Sequence, residues 1–337
     1  MELSERGLDE VERDKWSRLV EESSDSTPFS DWGWLDLVHG ALPGWQVRCV
    51  VAEEAGRYVA GMPLVASTAG IVHQSHSMAF GTPAGPLIRA GDDARLVDEL
   101  LRWWIERHTG GYRATRLGAV LDGATQPHLG VLEAYGFAIE RQTAYRIPLA
   151  GRTFEEWERS LSQQVRNKNR QAQDRAATFE RIDDPNLAPA IEALSHKTAR
   201  RHQRGRIFYR EGFFRAVLER QRREGPGIAR LVLVRVDGRP SAYDLCVVHR
   251  GRMWLIDHGG DTMDFHARTN NLLYRSIVEG AFAEGLGEVD LGAVPPGADA
   301  LARFKLGFGA RPCERISAIR TNLAFRFAYR AGHLLGR

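Results

Sequence analysis

The sequence predicts a mixed α/β (α+β) protein built from two modules that share one order of helices and strands. Its 337 residues are 43% hydrophobic and 26% charged, which supplies enough apolar side chains for two cores. Each half reads as a strand meander, a long helix, a short strand, a short helix ending in Gly-Phe, and a final strand. The two endings, Ala134–Phe137 and Lys305–Phe308, lie 171 residues apart. We therefore expect domains at 1–150 and 151–337, joined near Gly151.

The first module begins with a helix because Thr27-Pro28-Phe29 precedes a run of apolar residues at helical spacing. Alternating apolar residues then predict strands, and glycine with proline marks a loop. In order, we expect helix 29–42, strands 45–53 and 58–67, loop 80–86, helix 92–107, strand 115–120, helix 128–135 and strand 137–149.

The second module opens with long polar helical segments and continues with strands separated by turn dipeptides. Asp237-Gly238 and Arg250-Gly251 are the turn signals that hairpins require. In order, we expect helices 154–177, 187–202 and 211–223, strands 228–236, 241–249 and 252–257, helix 270–284, strand 288–294, helix 300–307 and strand 314–321.

Composition excludes several classes of protein. No apolar run approaches the ~20 residues that cross a bilayer, and the acidic start differs from a secretion signal. Cys49, Cys246 and Cys313 are odd in number and far apart, so neither a disulfide framework nor a structural zinc site is expected. We expect a cytoplasmic protein without a metal ion, a tightly bound cofactor or an integral membrane segment. The oligomeric state stays open.

Basic residues are concentrated in one region. Residues 152–223 hold 17 Lys or Arg against 10 Asp or Glu. This density suits a phosphate-rich partner such as the acceptor stem of tRNA, contacted through its backbone, rather than DNA, and it suits a pyrophosphate-bearing nucleotide equally. The expected phosphate contacts are Arg166, Lys168, Arg170 and Arg204.

The chain resembles the Fem family of peptidoglycan aminoacyltransferases and related domains of the GNAT fold. The most specific stretches are Leu291-Gly292-Ala293 and the FKLGFG ending at 304–309. The resemblance extends to the basic helix 161–175, Phe208-Tyr209, Thr269-Asn270-Asn271-Leu272 and, in the first half, the loop 80–87. It implies two tandem GNAT-like domains, each a central mixed sheet flanked by helices. It also implies acyl transfer that forms an amide, and it does not identify the acyl donor. The interval 186–224 is too short for the coiled-coil arm of some Fem enzymes.

Lys305 is the first catalytic candidate. Only four of the 46 basic residues are lysine, which draws attention to each of them. From a short helix between Phe304 and Leu306, its ammonium could meet a phosphate or a developing oxyanion. The resemblance implies that this lysine helps to bind the end of the tRNA or stabilises the transition state, with Phe304 beside the donor. The alternative is an ordinary solvated lysine on a helix. In the catalytic role too, Lys305→Met is expected to leave folding nearly intact while lowering turnover.

A second candidate site is the start of the helix near 270. Arg268, Thr269, Asn270 and Asn271 surround backbone amides that a helix leaves unpaired. In GNAT enzymes this position cradles the pyrophosphate of coenzyme A, usually with more glycine. The alternative is that Thr269 or Asn270 simply caps the helix.

Carboxylates in the strands supply candidates for moving a proton. Asp244 lies within an apolar strand, where burial would raise its pKa toward a value useful for accepting an amine proton. Asp257 ends the next strand; both residues could instead be structural. Asp290 could bind the substrate amine or hold a turn, and Tyr209 belongs to the segment that resembles the donor site.

These observations predict an acyltransferase that forms an amide by direct attack, without a covalent enzyme intermediate. The first expectation is transfer of an aminoacyl group from charged tRNA to an amine of a peptide, a peptidoglycan precursor or a small natural product. The rivals are an N-acyltransferase that uses acetyl-CoA or another acyl-CoA, and a non-catalytic duplicated binding module.

Overall fold

The computed structural model describes residues 1–42, 44–78, 82–109, 114–122, 128–173, 177–202, 209, 211–225, 227–261, 263 and 268–327. The chain forms two compact units, one of Met1–Gln142 with the segment from Glu314 onward and one of Thr143–Cys313. The domains expected at 1–150 and 151–337 stay a prediction.

Up to residue 148 the predicted elements are present close to their expected bounds, with an additional strand and helix at the start and two additional strands at 72–76 and 87–88. They are β1 (Glu2–Gly7), α1 (Arg13–Glu22), α2 (Trp32–Ala41), β2 (Gln46–Glu54), β3 (Arg57–Ala69), β4 (Val72–His76), β5 (Leu87–Ile88), α3 (Arg95–Thr109), β6 (Ala114–Leu121), α4 (Leu129–Ala134) and β7 (Ala138–Pro148).

From residue 154 onward the strand meander and the final helix–strand pair also follow the prediction. The elements are α5 (Phe154–Ser160), α6 (Gln163–Gln173), β8 (Ala177–Ile182), α7 (Ala188–Arg201), α8 (Glu211–Glu224), β9 (Ala229–Val236), β10 (Arg239–His249), β11 (Arg252–Gly260), α9 (Thr269–Ala283), β12 (Glu288–Ala293), α10 (Asp299–Gly307) and β13 (Arg311–Thr321).

In the first unit the strands follow the order β1-β2-β3-β4-β6-β13, and β5 pairs with β3. β4 and β6 are parallel, and the other pairs are antiparallel. The apolar face of α3, with Leu100, Leu101 and Trp104, packs into a core that also holds Ile316 and Ala318 of β13. The last strand of the chain thus completes the core of the first unit.

In the second unit the order is β7-β12-β11-β10-β9-β8, with only β11 and β12 parallel among these pairs. Tyr243 of β10 packs edge-on against Phe214 of α8 at 5.6 Å between ring centroids. Residues of the opposite parity, including Ala242 and Cys246, belong to the core formed with Leu273 and Ile277 of α9. Both units therefore carry a mixed sheet flanked by helices, and the predicted fold class is confirmed.

Several sequence-based assignments were wrong, and strands β4 and β5 are among the elements that were not predicted. The single helix expected over 154–177 is broken at Leu161, where an extended backbone ends α5 and Ser162 precedes α6. Strands β1 and β8 were missed because both are polar edge strands of their units, without the alternation that marks a half-buried strand. Pairing with β2 and β9 forms these strands in spite of their polar sequence.

Among the described residues, no helix combines the length and the apolar character that crossing a bilayer would need.

Candidate active site

The second unit brings a buried carboxylate and a histidine together on neighbouring strands. Strands β10 and β11 begin as a regular hairpin in which His249 opposes Arg252. Continued without interruption, that register would place Asp244 opposite Asp257. A β-bulge shifts it by one residue, so Asp244 opposes His258 instead. Residues that oppose each other across antiparallel strands share a face, and this pair does so.

Asp244 is fully buried, and few polar groups contact its carboxylate. Its Oδ2 lies 3.4 Å from Nδ1 of His258, an ion-pair contact without hydrogen-bond alignment. Neither carboxylate oxygen has a hydrogen-bond partner among the described residues. Burial therefore raises the pKa of Asp244 to about 6, although His258 acts in the opposite direction. This agrees with the expectation that an apolar strand desolvates the group.

His258 is the part of the pair that solvent reaches. Its side chain is 25% exposed, whereas that of Asp244 has no exposure. The ring of Tyr274 on α9 meets the His258 ring edge-on at 6.0 Å, and Tyr274 in turn packs against Phe304 at 5.1 Å. Aromatic packing thus links His258 to the FKLGFG segment. His258 was not among the residues predicted for the site, because its only signal in the sequence is its place near the end of an apolar strand.

Lys305 is buried, with 3% of the residue exposed, so a solvated lysine is the wrong interpretation. Its Nζ donates to the backbone oxygens of Leu291 at 2.6 Å, Gly292 at 2.9 Å and Ala293 at 3.4 Å. These carbonyls lie at the end of β12, where the strand register is interrupted and Gly292 has a φ of +76°. The ammonium therefore holds the end of β12 in an irregular conformation.

Asp290 holds the same turn from the other side. Its Oδ1 accepts a hydrogen bond from the backbone nitrogen of Gly292 at 2.7 Å, and its Oδ2 accepts one from Nε of Arg146 at 3.0 Å. Of the two roles considered for Asp290, these contacts fit the structural one.

No side chain among the described residues caps the start of α9. Arg268 is the N-cap residue, with a left-handed backbone (φ +55°), and makes no capping hydrogen bond. Thr269 and Asn270 lie inside the first turn, so capping by either residue is the wrong interpretation. The Thr269 hydroxyl and the Asn270 side-chain oxygen are buried without a hydrogen-bond partner in the described part of the chain. Asn271 donates to Asn169 at 3.3 Å.

Two other expected site residues are built into the packing. The Tyr243 hydroxyl donates to Oδ2 of Asp257 at 2.5 Å. Tyr209 is buried, its ring lies 4.6 Å from that of Phe213, and burial raises its pKa above the ordinary value. Asp257 and Tyr209 therefore contribute to the packing around α7 and α8.

The basic helix divides into different environments. Arg166 donates to the backbone oxygens of Arg159 and Leu161 and so closes the end of α5. Lys168 is half-buried and Arg170 is exposed, so Arg170 is the more available of the two for a phosphate. Arg204 lies outside the described residues.

A half-exposed histidine backed by a buried carboxylate can accept a proton at Nε2 while Nδ1 faces the carboxylate. Beside it, the backbone amides at the start of α9, which no described side chain caps, can donate to an anionic ligand. Proton acceptance and anion binding are the two demands of acyl transfer from a phosphate-bearing donor.

Residues 159–306 match the family described as Acetyltransferase (GNAT) domain. No curated protein sequence matches this chain. Solved structures that share its fold include FemX, at 14% identity and TM-score 0.67, with 94% of this chain and 97% of FemX covered. Another is a tandem GNAT protein from the clavulanic acid biosynthesis pathway, at 14% identity and TM-score 0.59, with 95% of this chain and 98% of that protein covered. A third is L-PGS from Bacillus licheniformis, at 11% identity and TM-score 0.53, with 91% of each chain covered.

Proposed function

We propose that this chain, an acyltransferase with a GNAT-type domain and a Fem-like tandem fold, transfers an aminoacyl group from aminoacyl-tRNA to an amine acceptor. The acceptor class is an amine of a peptide, a peptidoglycan precursor or a small natural product. The observation that carries the proposal is the contact of buried Asp244 with half-exposed His258 inside the matched domain. Such a pair is suited to remove the proton that an amine must lose as the amide forms.

In the proposed reaction the neutral amine attacks the acyl carbonyl carbon. The new C–N bond forms, the ester C–O bond to the terminal ribose of tRNA breaks, and the ribose oxygen leaves with a proton. Nε2 of His258 takes the proton of the amine and can return it to the leaving oxygen. Asp244 is a positioning residue, because its burial denies it direct contact with substrate. Lys305 holds the end of β12, beside which the FKLGFG helix lies.

A second candidate donor is acyl-CoA, and one observation favours it. The start of α9 offers the Thr269 hydroxyl, which has no hydrogen-bond partner among the described residues, together with backbone amides that no described side chain caps. Helix amides of this kind receive phosphate groups. With this donor the bond that breaks is the thioester C–S bond, and the rest of the scheme is unchanged.

The test is to incubate the protein separately with radiolabelled aminoacyl-tRNA and with radiolabelled acetyl-CoA, each with a panel of amine acceptors. We expect labelled amide from the tRNA arm. Label transfer only from acetyl-CoA would replace the first donor by the second, and no transfer in either arm would contradict the function. His258→Gln should lower turnover at least about 100-fold, the lower end of the range for general acid–base catalysis. His196→Gln, an exposed histidine on α7, is the matched control.

The donor can also be tested by binding. Replacing Lys168 and Arg170 with glutamate should weaken binding of charged tRNA, and the affinity of the wild type should fall steeply with salt. Arg222→Glu, on the exposed face of α8, controls for total charge. Arg166 is left intact because its guanidinium closes α5. Binding that is insensitive to salt would contradict a tRNA contact at this helix.

A further inference from the structure

The first unit contains a chain of hydrogen-bonded titratable groups that the proposed acyl transfer does not use. Oγ1 of Thr68 lies 3.1 Å from Nδ1 of His73, and Nε2 of His73 lies 2.9 Å from Nδ1 of His108. Nε2 of His108 lies 2.8 Å from Oε2 of Glu5. The two imidazole rings are parallel, with an interplanar angle of 3°. Strands β1, β3 and β4 and helix α3 thus meet through one continuous relay.

The positions of the protons in this relay follow from Glu5, the carboxylate at its inner end. Burial by itself would raise the pKa of Glu5, but the hydrogen bond from His108 and the charge of Arg48 hold it below its ordinary value. An ionised carboxylate only accepts, so His108 carries its proton on Nε2 and presents a lone pair at Nδ1. His73 must then donate from Nε2 and accept at Nδ1. In this neutral form the Thr68 hydroxyl donates a hydrogen bond to Nδ1 of His73, so only the lone pairs of its oxygen are available to other groups.

The outer end of the relay opens on a cavity of 470 Å³. Its lining includes Thr68, His73, Glu5, Arg48 and Trp45. Thr68 is exposed, whereas the His73 and Glu5 side chains are buried, so a ligand would meet the hydroxyl first. Trp45 supplies an aromatic surface and Arg48 a guanidinium. The same side chains do not form a metal site, since no group of three metal-ligating side chains exists among the described residues.

The charges around the relay favour an anion. Glu5 contributes one negative charge, while Arg48 contacts one of its oxygens and Arg107 lies 3.7 Å from the other. Two arginines on β2 and α3 therefore outweigh one carboxylate on β1. His76, on the same strand as His73, stays neutral because burial, together with Arg116, lowers its pKa to about 4. The histidine pair is thus the group near the cavity that is suited to take up a proton.

One added proton reverses the direction of the hydrogen bond between Thr68 and His73, at the outer end of the relay. Whether it enters on His73 or on His108, Nδ1 of His73 becomes a donor, because a protonated imidazole donates from both nitrogens and passes the change along the pair. Thr68 then accepts a hydrogen bond from His73, and its own hydroxyl becomes free to donate a hydrogen bond toward the cavity. The cavity gains a donor and a positive charge together, and an anion bound there would offset the cost of that charge.

We propose that this cavity is a second ligand site, which binds a small carboxylate with an apolar body and takes up one proton as it binds. The carboxylate lies between the Thr68 hydroxyl and Arg48, and the apolar body lies on Trp45. The site is independent of the acyl-transfer chemistry proposed for the second unit.

The test is calorimetric titration of the full chain with benzoate, which is ionised throughout the range used. Affinity at pH 5.5 should exceed that at pH 7.5 at least tenfold, because the bound form holds one proton more than the free protein and a lower pH favours it. Titrations in two buffers of different ionisation enthalpy should give an uptake of about one proton at pH 7.5. Benzamide, which has the same shape without the charge, should bind with no dependence on pH. Absence of benzoate binding at pH 5.5, or binding without proton uptake at pH 7.5, would overturn the proposal.

Variants identify the groups responsible. Thr68→Val should weaken benzoate binding at pH 5.5 at least tenfold. The double variant His73→Gln with His108→Gln, which removes both imidazoles and keeps an amide donor for Glu5, should abolish proton uptake. Thr178→Val on exposed β8 and His196→Gln are the matched controls. Melting curves check that each variant is folded. A folded double variant that still takes up a proton with benzoate would contradict the relay.

Discussion

At the scale of single residues, the candidate active site depends on two buried charged groups in different circumstances. Lys305 is satisfied by three backbone carbonyls, whereas Asp244 has an unaligned contact with His258 and no hydrogen-bond partner among the described residues. Removing a satisfied buried charge leaves its partners unpaired and costs stability, whereas removing an unsatisfied one relieves the cost of burying it. Removing the two groups should therefore have opposite effects on stability.

Asp244→Asn should stabilise the protein at high pH while impairing its activity. The folded-state pKa of about 6 lies above the ordinary value, so the native state loses stability as pH rises from about 4 to 6. The pKa shift corresponds to a loss of roughly 3 kcal/mol in the free energy of unfolding, and a neutral side chain would not cause this loss. Urea unfolding should give equal stabilities near pH 4 and a more stable Asn variant at pH 8. A variant less stable than the wild type at pH 8 would show that the carboxylate is well compensated.

Lys305→Met should destabilise the protein as well as slow it, contrary to the expectation for a solvated lysine. It leaves three carbonyls at the end of β12 without their donor, at a cost of about 1–3 kcal/mol for a buried unsatisfied group. Lys305→Arg should also lose stability, because a planar guanidinium cannot reproduce one compact ammonium. Denaturant unfolding measures both, and Lys168→Met, on the surface of α6, is the control. If Lys305→Met were as stable as the wild type, the proposed role of Lys305 in holding the end of β12 would be contradicted.

At the scale of elements, the β10–β11 hairpin determines which side chains meet. Tyr243 opposes Gly259, and its ring covers the glycine. An added Cβ on Gly259 would lie 2.3 Å from the Tyr243 ring and 3.0 Å from the backbone carbon of Leu194. The hydrogen bond from Tyr243 to Asp257 restrains the ring. The hairpin, its bulge and helix α7 therefore fit together only with glycine at this position.

Gly259→Ala should lower the free energy of unfolding by about 1–3 kcal/mol, the usual cost of overpacking. It should also lower turnover, because the adjacent His258 would shift with the strand. Gly212→Ala on α8 is the matched control, since an added Cβ there meets nothing within 4 Å. Equal stability of both variants in thermal unfolding would contradict the close packing described for Gly259.

At the scale of the molecule, the chain returns to its first unit at the end. Strand β13 pairs with β6 from Ile316 opposite Leu121 to Thr321 opposite Arg116. Ile316 and Ala318 are buried in the core of that unit. A division into consecutive domains at residue 150 assigns this strand to the second half, whereas the compact units place it with the first.

Ending the chain after Cys313 should therefore destabilise the first unit, although the deletion lies in the second half of the sequence. Loss of Ile316 and Ala318 opens the core beside β6, and loss of the strand leaves the β6 edge unpaired. Hydrogen exchange at the amides of Leu117 and Ala119 should become faster. Unchanged exchange there would mean that the first unit does not depend on β13.

The order of elements, the hairpin turns and the FKLGFG helix followed from the sequence alone, because spacing and turn dipeptides are local properties. The partner of Asp244, the burial of Lys305 and the edge strands β1 and β8 did not. Counting residues from the Arg250-Gly251 turn pairs Asp244 with Asp257, and only the bulge in the folded sheet replaces that partner with His258. Burial and register depend on contacts between residues far apart in the chain, which local patterns do not encode.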